Sequence, residues 1–333
     1  MLYYNFNHRY KYFIFMQKFH LNKSSKTVID KLKNLKKNYL IKDIHNLPVV
    51  KARAEFSKIR SYFAYKKKIQ VLIIKNFKIK NIPVRYYRGK QNSINEELPI
   101  MIYFHGGGWV VGDLNTHDQV CRMLVSNAKY DIISVDYSLA PEATFPHAIN
   151  EGKEILRAIA QKKFNLKINN KKIILCGDSA GGNIATVLCD YNKNTLKANI
   201  LLQVLIYPAT HMFSQYDSKN KFDGLILSKK LMSWFENHYC PINIRKKYVN
   251  DVRLSPIKNK KMKGMPDTLI ILAECDPLFD EGYIYGSRLK ENNVKVELKV
   301  CKGLIHGFLT MGGVVKEVKE VINFINKKIN NYL

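Results

Sequence analysis

The sequence of 333 residues predicts an α/β fold in which helices cover both faces of a mostly parallel, eight-stranded sheet. From residue 99 onward, short apolar runs typical of buried strands alternate with helical segments, as they do in parallel sheets. Two further β-rich runs, Ile69–Phe77 and Ile79–Tyr87, come before them, and Pro83 favours an edge position for this pair. At this length, one large domain with an elaboration is favoured over two independent domains.

Each element of the alternating region follows from an apolar run or from helical patterning. The predicted strands are Pro99–Phe104, Ile132–Asp136, Lys172–Cys176, Ile200–Ile206, Thr268–Ala273 and Val294–Val300. The predicted helical segments are Thr116–Ala128, Ala148–Lys162, Gly182–Asp190, Glu281–Asn292 and Val314–Ile329. Residues 66–209 and 258–333 are therefore predicted to form the α/β core.

The connection at residues 210–257 breaks this alternation. It holds no buried strand but two aromatic-rich helical pieces, Ser228–His238 and Ile242–Val249. Parallel sheets bind ligands at the carboxyl ends of their strands, and an insertion before the penultimate strand can cover that edge. We therefore predict that residues 210–257 are a cap insertion, and that residues 1–65 are an N-terminal extension and a second cap segment.

The net charge of +28 raises the question of a nucleic-acid partner, because a dense basic surface releases counterions from a phosphate backbone. The lysines are spread along the whole chain, however, and no nucleic-acid-binding motif is visible. No nucleic acid is therefore expected as a partner. A weak attraction to anionic surfaces or substrates is left open.

The sequence also bears on location and on metals. No apolar run approaches the roughly 18 to 20 residues of a membrane-spanning helix, and no secretory signal is evident, so a cytoplasmic location is expected. Three alternatives are open for the basic, aromatic residues 1–20: disorder, packing on the cap or contact with a membrane surface. The six cysteines form no C-x-x-C pair or His/Cys cluster, so reduced thiols and no metal site are expected.

A glycine-framed serine lies near the middle of the chain. Gly177–Gly182 has the sequence GDSAGG, follows the apolar run Ile173–Cys176 and precedes a helical stretch. The pattern G-x-S-x-G on a strand-to-helix turn is the nucleophile elbow of α/β-hydrolases, in which flanking glycines allow a very sharp turn. Ser179 is therefore the predicted nucleophile for attack on a carbonyl carbon.

A nucleophilic serine needs a base and a carboxylate that orients the base. His306 follows the last predicted strand in a glycine-containing loop, which is the position of the histidine in this class of enzyme. Asp276 follows the preceding strand and precedes Pro277, so its carboxylate can accept the imidazole Nδ1–H. Asp280 is the main competitor, although its position favours a helix cap. The resulting order, Ser179 then Asp276 then His306, is that of the α/β-hydrolases.

A second glycine-rich segment supplies candidate oxyanion donors. His105–Trp109 has the sequence HGGGW directly after a predicted strand, so backbone N–H groups are accessible there. We predict an oxyanion hole formed by the amides of Gly107, Gly108 and Ala180. A phosphate-binding loop is the alternative, but its G-x-x-x-x-G-K-[ST] or G-x-G-x-x-G pattern is absent. His105 is predicted to brace the loop by hydrogen bonding.

The chain resembles the hormone-sensitive-lipase-like bacterial esterases of the α/β-hydrolase fold, from about residue 47 to the C-terminus. Five motifs in the same order carry the resemblance: His105–Asp113, Asp136–Glu142, Gly177–Gly182, Asp276–Gly282 and His306–Phe308. The resemblance implies the same triad and oxyanion hole and a helical cap made from two segments. Ser138 departs from the family, which usually has arginine there, and the change is expected to loosen a structural ion pair.

These residues predict a serine carboxylesterase that hydrolyses short- to medium-chain acyl esters through an acyl-enzyme and needs neither a cofactor nor a metal. Its expected partner is a small-molecule acyl ester, and Trp109, Val110 and Phe213 are predicted to contact it. Amide or formamide hydrolysis by the same triad is the alternative within enzymes. A non-catalytic small-molecule receptor is the alternative outside them, although the intact triad disfavours it.

Overall fold

An eight-stranded sheet forms the frame of the molecule. The computed structural model describes residues 19–163 and 166–333, and in these ranges the strand order is β1-β2-β4-β3-β5-β6-β7-β8. The strands are β1 Ile73–Ile79, β2 Ile82–Arg88, β3 Leu98–Phe104, β4 Asp131–Val135, β5 Ile168–Asp178, β6 Ile200–Ile206, β7 Thr268–Cys275 and β8 Val296–Ile305. β2 pairs antiparallel with β1 and β4, whereas the other neighbours pair in parallel. The predicted mostly parallel α/β sheet is confirmed.

Helices flank this sheet. They are α1 Lys23–Lys37, α2 Val49–Ser61, α3 Asp118–Val125, α4 His147–Ala160, α5 Ala180–Tyr191, α6 Asp217–Lys221, α7 Lys229–Tyr239, α8 Ile242–Tyr248, α9 Phe279–Glu291 and α10 Val318–Asn330. Those from α3 onward, with the exception of α6, overlap helical segments predicted from the sequence. The side chain of Asn22 caps α1 and that of Ser228 caps α7, each by accepting a backbone N–H from the first turn. The five-residue α6 was not predicted, because so short an element shows no helical period.

Apolar side chains from both faces of the sheet are buried. Every residue of β3 and β7 is buried, as expected of central parallel strands. Successive side chains of β3 point to opposite faces, so Ile100 and Ile102 pack in one hydrophobic cluster while Met101 and Tyr103 pack in the other. Helices therefore cover both faces, and the carboxyl ends of the strands are left free to carry polar groups.

Pro83 predicts an edge position for the strand pair, and this prediction is wrong for the strand that contains the proline. β1 is the edge strand, whereas Pro83 lies in β2, which has β1 on one side and β4 on the other. Pro83 is the second residue of β2, and pairing with β4 begins only at Val84. The proline carbonyl accepts the N–H of Asp136, so the missing proline N–H leaves no gap in the ladder.

The N-terminal helices are attached to the carboxyl end of the sheet. Arg53 of α2 donates to the carbonyl oxygens of Val110 and Ala140 and forms an ion pair with Glu142.

No helix within 19–163 or 166–333 combines the length and apolar character that a membrane crossing requires. The three alternatives for residues 1–20 fall almost wholly on residues 1–18, which lie outside the described residues.

The start of α5 packs directly on β3, and glycine at position 181 permits this contact. A Cβ at Gly181 would lie 1.9 Å from the carbonyl oxygen of Phe104 and 2.8 Å from that of His105. Both obstacles are backbone atoms, so no side-chain rotation can relieve the clash. We expect Gly181→Ala to lower the free energy of unfolding by about 3 kcal/mol or more, measured by urea denaturation.

Gly224→Ala provides the matched control for this prediction. Gly224 has a positive φ of 77°, but a Cβ at this position would have no other atom within 4 Å, so only backbone strain applies. A loss of about 1 to 2 kcal/mol is expected there. Equal losses in the two variants would show that the tight contact at Gly181 is not the dominant constraint.

Candidate active site

Ser179 lies on a sharp turn between β5 and α5. Its backbone has φ 55° and ψ −117°, and its amide donates to the carbonyl oxygen of Ile206. A non-glycine residue with positive φ is uncommon and costs conformational energy, which neighbouring packing must offset. This geometry is that of a nucleophile elbow, with Ser179 at the carboxyl edge of the sheet.

The three residues predicted as a triad are brought together in one hydrogen-bonded series. Ser179 Oγ and His306 Nε2 are 3.0 Å apart, and His306 Nδ1 lies 2.7 Å from Asp276 Oδ2. Asp276 is fully buried, and its other oxygen accepts the backbone N–H of Leu278 at 2.8 Å. Because the carboxylate only accepts, the imidazole donates from Nδ1, which leaves Nε2 to accept the serine proton.

Asp280, the competing acid, points elsewhere. It lies in the first turn of α9, and its Oδ2 accepts the backbone N–H of Ser218 at 2.9 Å. This contact attaches α6 to the core. The helix cap predicted for Asp280 is wrong, because Leu278 is the N-cap residue of α9 and the Asp280 carboxylate is used on Ser218 instead. The carboxylate in contact with His306 is that of Asp276.

The glycine-rich loop after β3 runs beside the serine. Gly107 and Gly108 have φ angles of 130° and 59°, and a Cβ on Gly107 would lie 1.9 Å from the carbonyl oxygen of Val111. A Cβ on Gly108 would lie 2.2 Å from the ring of Phe235 in α7. Among the described residues, neither amide donates a hydrogen bond. The Ala180 amide begins α5, where backbone donors lack helical partners.

Sequence reasoning gave no role to Asp178, yet it links the loop to the elbow. Its carboxylate is buried and accepts from the Tyr103 hydroxyl at 2.7 Å and the Gly106 amide at 2.9 Å. His117 Nε2 lies 3.4 Å away. The charge and hydrogen bonding of His117, with the hydrogen bonds from Tyr103 and Gly106, lower the pKa of Asp178 to about 2 despite burial. Its place in the GDSAGG motif was the available signal.

His105 braces the loop as predicted from the sequence. It is fully buried, its Nδ1–H donates to the Gly106 carbonyl at 2.8 Å, and its ring stacks on Tyr137 at 4.3 Å. Burial, and then the neighbouring His117, lower the pKa of His105 to about 4. The ring is therefore neutral at physiological pH, and its single N–H is used in holding the loop.

Ser138, which stands where the resembling family usually has arginine, binds Glu151. The Ser138 amide and hydroxyl donate to the two carboxylate oxygens of Glu151 at 2.6 and 2.7 Å. The expected loosening of a structural ion pair stays a prediction.

A cavity of about 530 Å³ opens onto Ser179, His306 and the glycine loop. Its walls come from residues 29–63, from 209–236 and from the carboxyl edge of the sheet. Trp109 lines it and stacks on Tyr239 at 4.5 Å, with a positive φ of 62°. The other two predicted contacts do not line it: Val110 is fully buried, and Phe213 lies under the Arg245 guanidinium at 4.3 Å.

In the part of the chain that the structure describes, no group of three or more His, Cys, Asp or Glu side chains could hold a metal ion. All six cysteines are buried free thiols.

A family model described as the alpha/beta hydrolase fold matches residues 101–310, a segment that contains the elbow, the glycine loop and both triad partners of Ser179. The chain belongs to this family of α/β-hydrolases. The resemblance to the hormone-sensitive-lipase-like esterases is thereby confirmed.

Individual relatives agree with this assignment. The chain is 32% identical to an ethyl acetate hydrolase of Pseudomonas putida over 76% of its length and 79% of that protein. It is 34% identical to a carboxylesterase of Mycobacterium tuberculosis, NlhH, over 72% and 75%. The esterase of the archaeon Pyrobaculum calidifontis superposes with a TM-score of 0.84 at 31% identity, covering 94% of this chain and 98% of that one. The resemblance stated above was to bacterial esterases. Because an archaeal esterase is this similar, a bacterial origin of this chain stays a prediction.

The neutral His105 ring predicts a pH dependence of stability. The unfolded chain takes up a proton near pH 6.5, whereas folded His105 does so only near its pKa of about 4. The unfolded state therefore binds more protons between these values, and the free energy of unfolding falls as pH falls through this window. We expect this contribution to approach about 3 kcal/mol at pH 4.

Urea unfolding of the wild type and of His105→Gln from pH 7 to pH 4 measures this contribution. Glutamine retains an N–H donor for the Gly106 carbonyl but does not titrate. Other groups, including Asp136, whose burial raises its pKa to about 6, affect both proteins alike. The difference between the two curves isolates His105, and parallel curves would contradict the predicted depression of its pKa.

Proposed function

We propose that this protein is a serine carboxylesterase in which Ser179 is the nucleophile, His306 the general base and Asp276 the residue that orients it. The observation that carries the proposal is the hydrogen-bonded series Asp276–His306–Ser179 beside amides with no internal acceptor. The ester-hydrolase class is the one to which the named relatives belong.

The first half of the reaction forms an acyl-enzyme. Ser179 Oγ attacks the ester carbonyl carbon while His306 Nε2 takes its proton over the 3.0 Å contact. The negative charge moves to the carbonyl oxygen, where the amides of Gly107, Gly108 and Ala180 donate to it. The carbon–oxygen bond to the alcohol then breaks, and His306 returns the proton to the leaving alcohol oxygen.

Hydrolysis of the acyl-enzyme by water completes the cycle, with water in the place that the leaving alcohol had in the first half. His306 removes a proton from a water molecule that attacks the acyl carbonyl, and the same amides stabilise the second oxyanion. The bond to Ser179 Oγ breaks, the serine regains its proton from His306, and a carboxylic acid is released. Throughout both halves the buried Asp276 carboxylate, 2.7 Å from Nδ1, stabilises the imidazolium.

The size and the apolar wall of the cavity support the proposal that the acyl group of the substrate is short to medium in length. Its volume of about 530 Å³ lies within the range of small-molecule sites, and Leu227, Leu231, Met232 and Phe235 give its wall an apolar character. Because these side chains come from residues 210–257, and others from α1 and α2, the two segments are proposed to act together as the cap.

Replacement of the serine tests the nucleophile. We expect Ser179→Ala to lower kcat/KM for p-nitrophenyl acetate and butyrate by a factor on the order of 10³ or more, because no hydroxyl remains to attack the carbonyl. Ser126→Ala, whose hydroxyl contacts only the carbonyl of Met123, is the control and keeps wild-type rates. If Ser179→Ala retained most of the activity, or if matched anilides were cleaved faster than the esters, the proposal would be wrong.

Two aspartate variants separate the candidate acids. Asp276→Asn removes the negative charge beside His306 Nδ1 and introduces an amide donor, which favours the imidazole tautomer that cannot accept the serine proton. We therefore expect kcat to fall by about 10³- to 10⁴-fold with little change in KM. Asp280→Asn alters the contact between α9 and Ser218 and is expected to reduce stability more than kcat. Steady-state kinetics and thermal unfolding of both proteins measure the two effects. A larger kcat loss in Asp280→Asn would assign the orienting role to that residue.

A further inference from the structure

One guanidinium in the wall of the cavity has no anionic partner. Arg60, in the last turn of α2, lines the same cavity as Ser179 and His306. Its Nε is buried without a hydrogen-bond acceptor, and no carboxylate of the described residues forms an ion pair with it. A guanidinium remains charged in proteins and carries five N–H donors, so an unpaired one inside a cavity is costly.

Other arginines of this chain show the usual solution to that cost. Arg88 is buried against Asp131 at 2.6 Å, and its remaining donors reach the carbonyls of Ser93, Ile94 and Lys167. Arg53, also on α2, is satisfied by Glu142 and two carbonyl oxygens. Among the described residues, no comparable partners exist for Arg60. Its guanidinium lies over the Phe56 ring at 4.7 Å.

The ionised carboxylate in the vicinity is already committed. Asp178 influences Arg60 electrostatically, but its oxygens accept from Tyr103, Gly106 and, at 3.5 Å, Tyr207. Burial lowers the pKa of the Arg60 guanidinium, which is the direction expected for a desolvated cation without close compensation. The cavity wall therefore contains a positive charge that forms no direct ion pair with a carboxylate of the described residues.

The position of this charge relates it to the reacting atoms. The Arg60 Nη2 atom lies 3.1 Å from where a Cβ of Gly307 would stand, and Gly307 directly follows His306. Gly307 has φ 73° and no side chain, so the guanidinium approaches the backbone closely at that point. An anionic group that reached Arg60 would thus lie in the same cavity as an ester carbonyl at Ser179.

Other charged side chains in the cavity wall also favour an anionic substrate group. Lys33, Lys42 and Lys230 also line the cavity, and no carboxylate partner is found for their amino groups within 19–163 and 166–333. The four acids in its wall are all engaged. Asp43 pairs with Lys36 and Glu281 with Lys219, whereas Glu236 accepts the Phe213 amide and Asp178 accepts from Tyr103 and Gly106. The cavity is therefore cationic on balance, although most of its wall is apolar.

We propose that the physiological substrate is an ester that also bears a carboxylate, and that Arg60 binds this group. The inference rests on the proposed esterase function and narrows its substrate class. A carboxylate matches the planar guanidinium by two parallel N–H···O bonds and would neutralise it. The carboxylate belongs to either the acyl part or the alcohol part of the ester, and the two sources are separated by experiment.

Matched esters test the proposal on the wild-type enzyme. The acyl series consists of ethyl hydrogen succinate, glutarate and adipate, each compared with the ethyl ester in which an isopropyl group replaces the carboxylate. The alcohol series compares the acetate ester of γ-hydroxybutyrate with its isopropyl counterpart. We expect at least one anionic ester to have a higher kcat/KM than its neutral isostere. If every neutral isostere were the better substrate, the proposal would be overturned.

Variants then assign the preference to Arg60. We expect Arg60→Gln to lower the anionic-to-neutral ratio of kcat/KM by about 10- to 100-fold, mostly through KM, and Arg60→Lys to recover part of it. Arg157→Gln removes one guanidinium outside the cavity, where Arg157 pairs with Glu154, and leaves the ratio unchanged. An unchanged ratio in Arg60→Gln, or an equal fall in Arg157→Gln, would show that Arg60 does not bind the anion.

The outcomes distinguish this proposal from the esterase proposal. Ser179-dependent hydrolysis of neutral esters without any anionic preference overturns the carboxylate inference and leaves the esterase in place. Absence of Ser179-dependent hydrolysis for all of these esters overturns the esterase function itself. If Arg60→Gln does not fold, the comparison of anionic and neutral esters on the wild-type enzyme still tests the proposal. Competitive inhibition by glutarate tests it as well, since glutarate is expected to inhibit Arg60→Lys more weakly than the wild type.

Discussion

The close approach of α5 to the carboxyl end of β3 is the constraint on which the site depends. Gly181 lets the helix start against the carbonyl oxygens of Phe104 and His105. This contact holds Ser179 in its positive-φ conformation and sets the Ala180 amide at the start of a helix next to the glycine loop. Displacement of α5 by a single methyl group would therefore disturb the proposed nucleophile and the proposed oxyanion donors at the same time.

Buried electrostatics make this arrangement rigid. Asp178, the residue before the serine, accepts the Gly106 amide and the Tyr103 hydroxyl, so one carboxylate joins the elbow to the loop after β3. The neutral His105 ring adds a further hydrogen bond within this loop. Preorganised donors of this kind cost no rearrangement when charge develops on a substrate oxygen, which is the basis of electrostatic catalysis.

Much of this could be predicted from the sequence, because the strands, the elbow and the glycine loop leave local signatures. The roles assigned to Ser179, Asp276 and His306 stay proposals that the variants above test. Contacts between residues that are far apart in the sequence left no such signature. Trp109 and Phe213 both have positive φ, which redirects their side chains, and only Trp109 reaches the cavity. Arg60 lies in an ordinary helical stretch, so its isolation from acids emerges only when α2 packs on the loop after β8.

The cavity wall has a consequence for how the protein could be engineered. Its side chains come largely from residues 29–63 and 209–236, whereas the three residues of the proposed triad and the glycine loop lie at the ends of the strands. Substitutions in the two wall segments would therefore change the shape and polarity of the cavity without replacing a residue proposed to react. Specificity and reaction type could accordingly be varied by separate sets of substitutions.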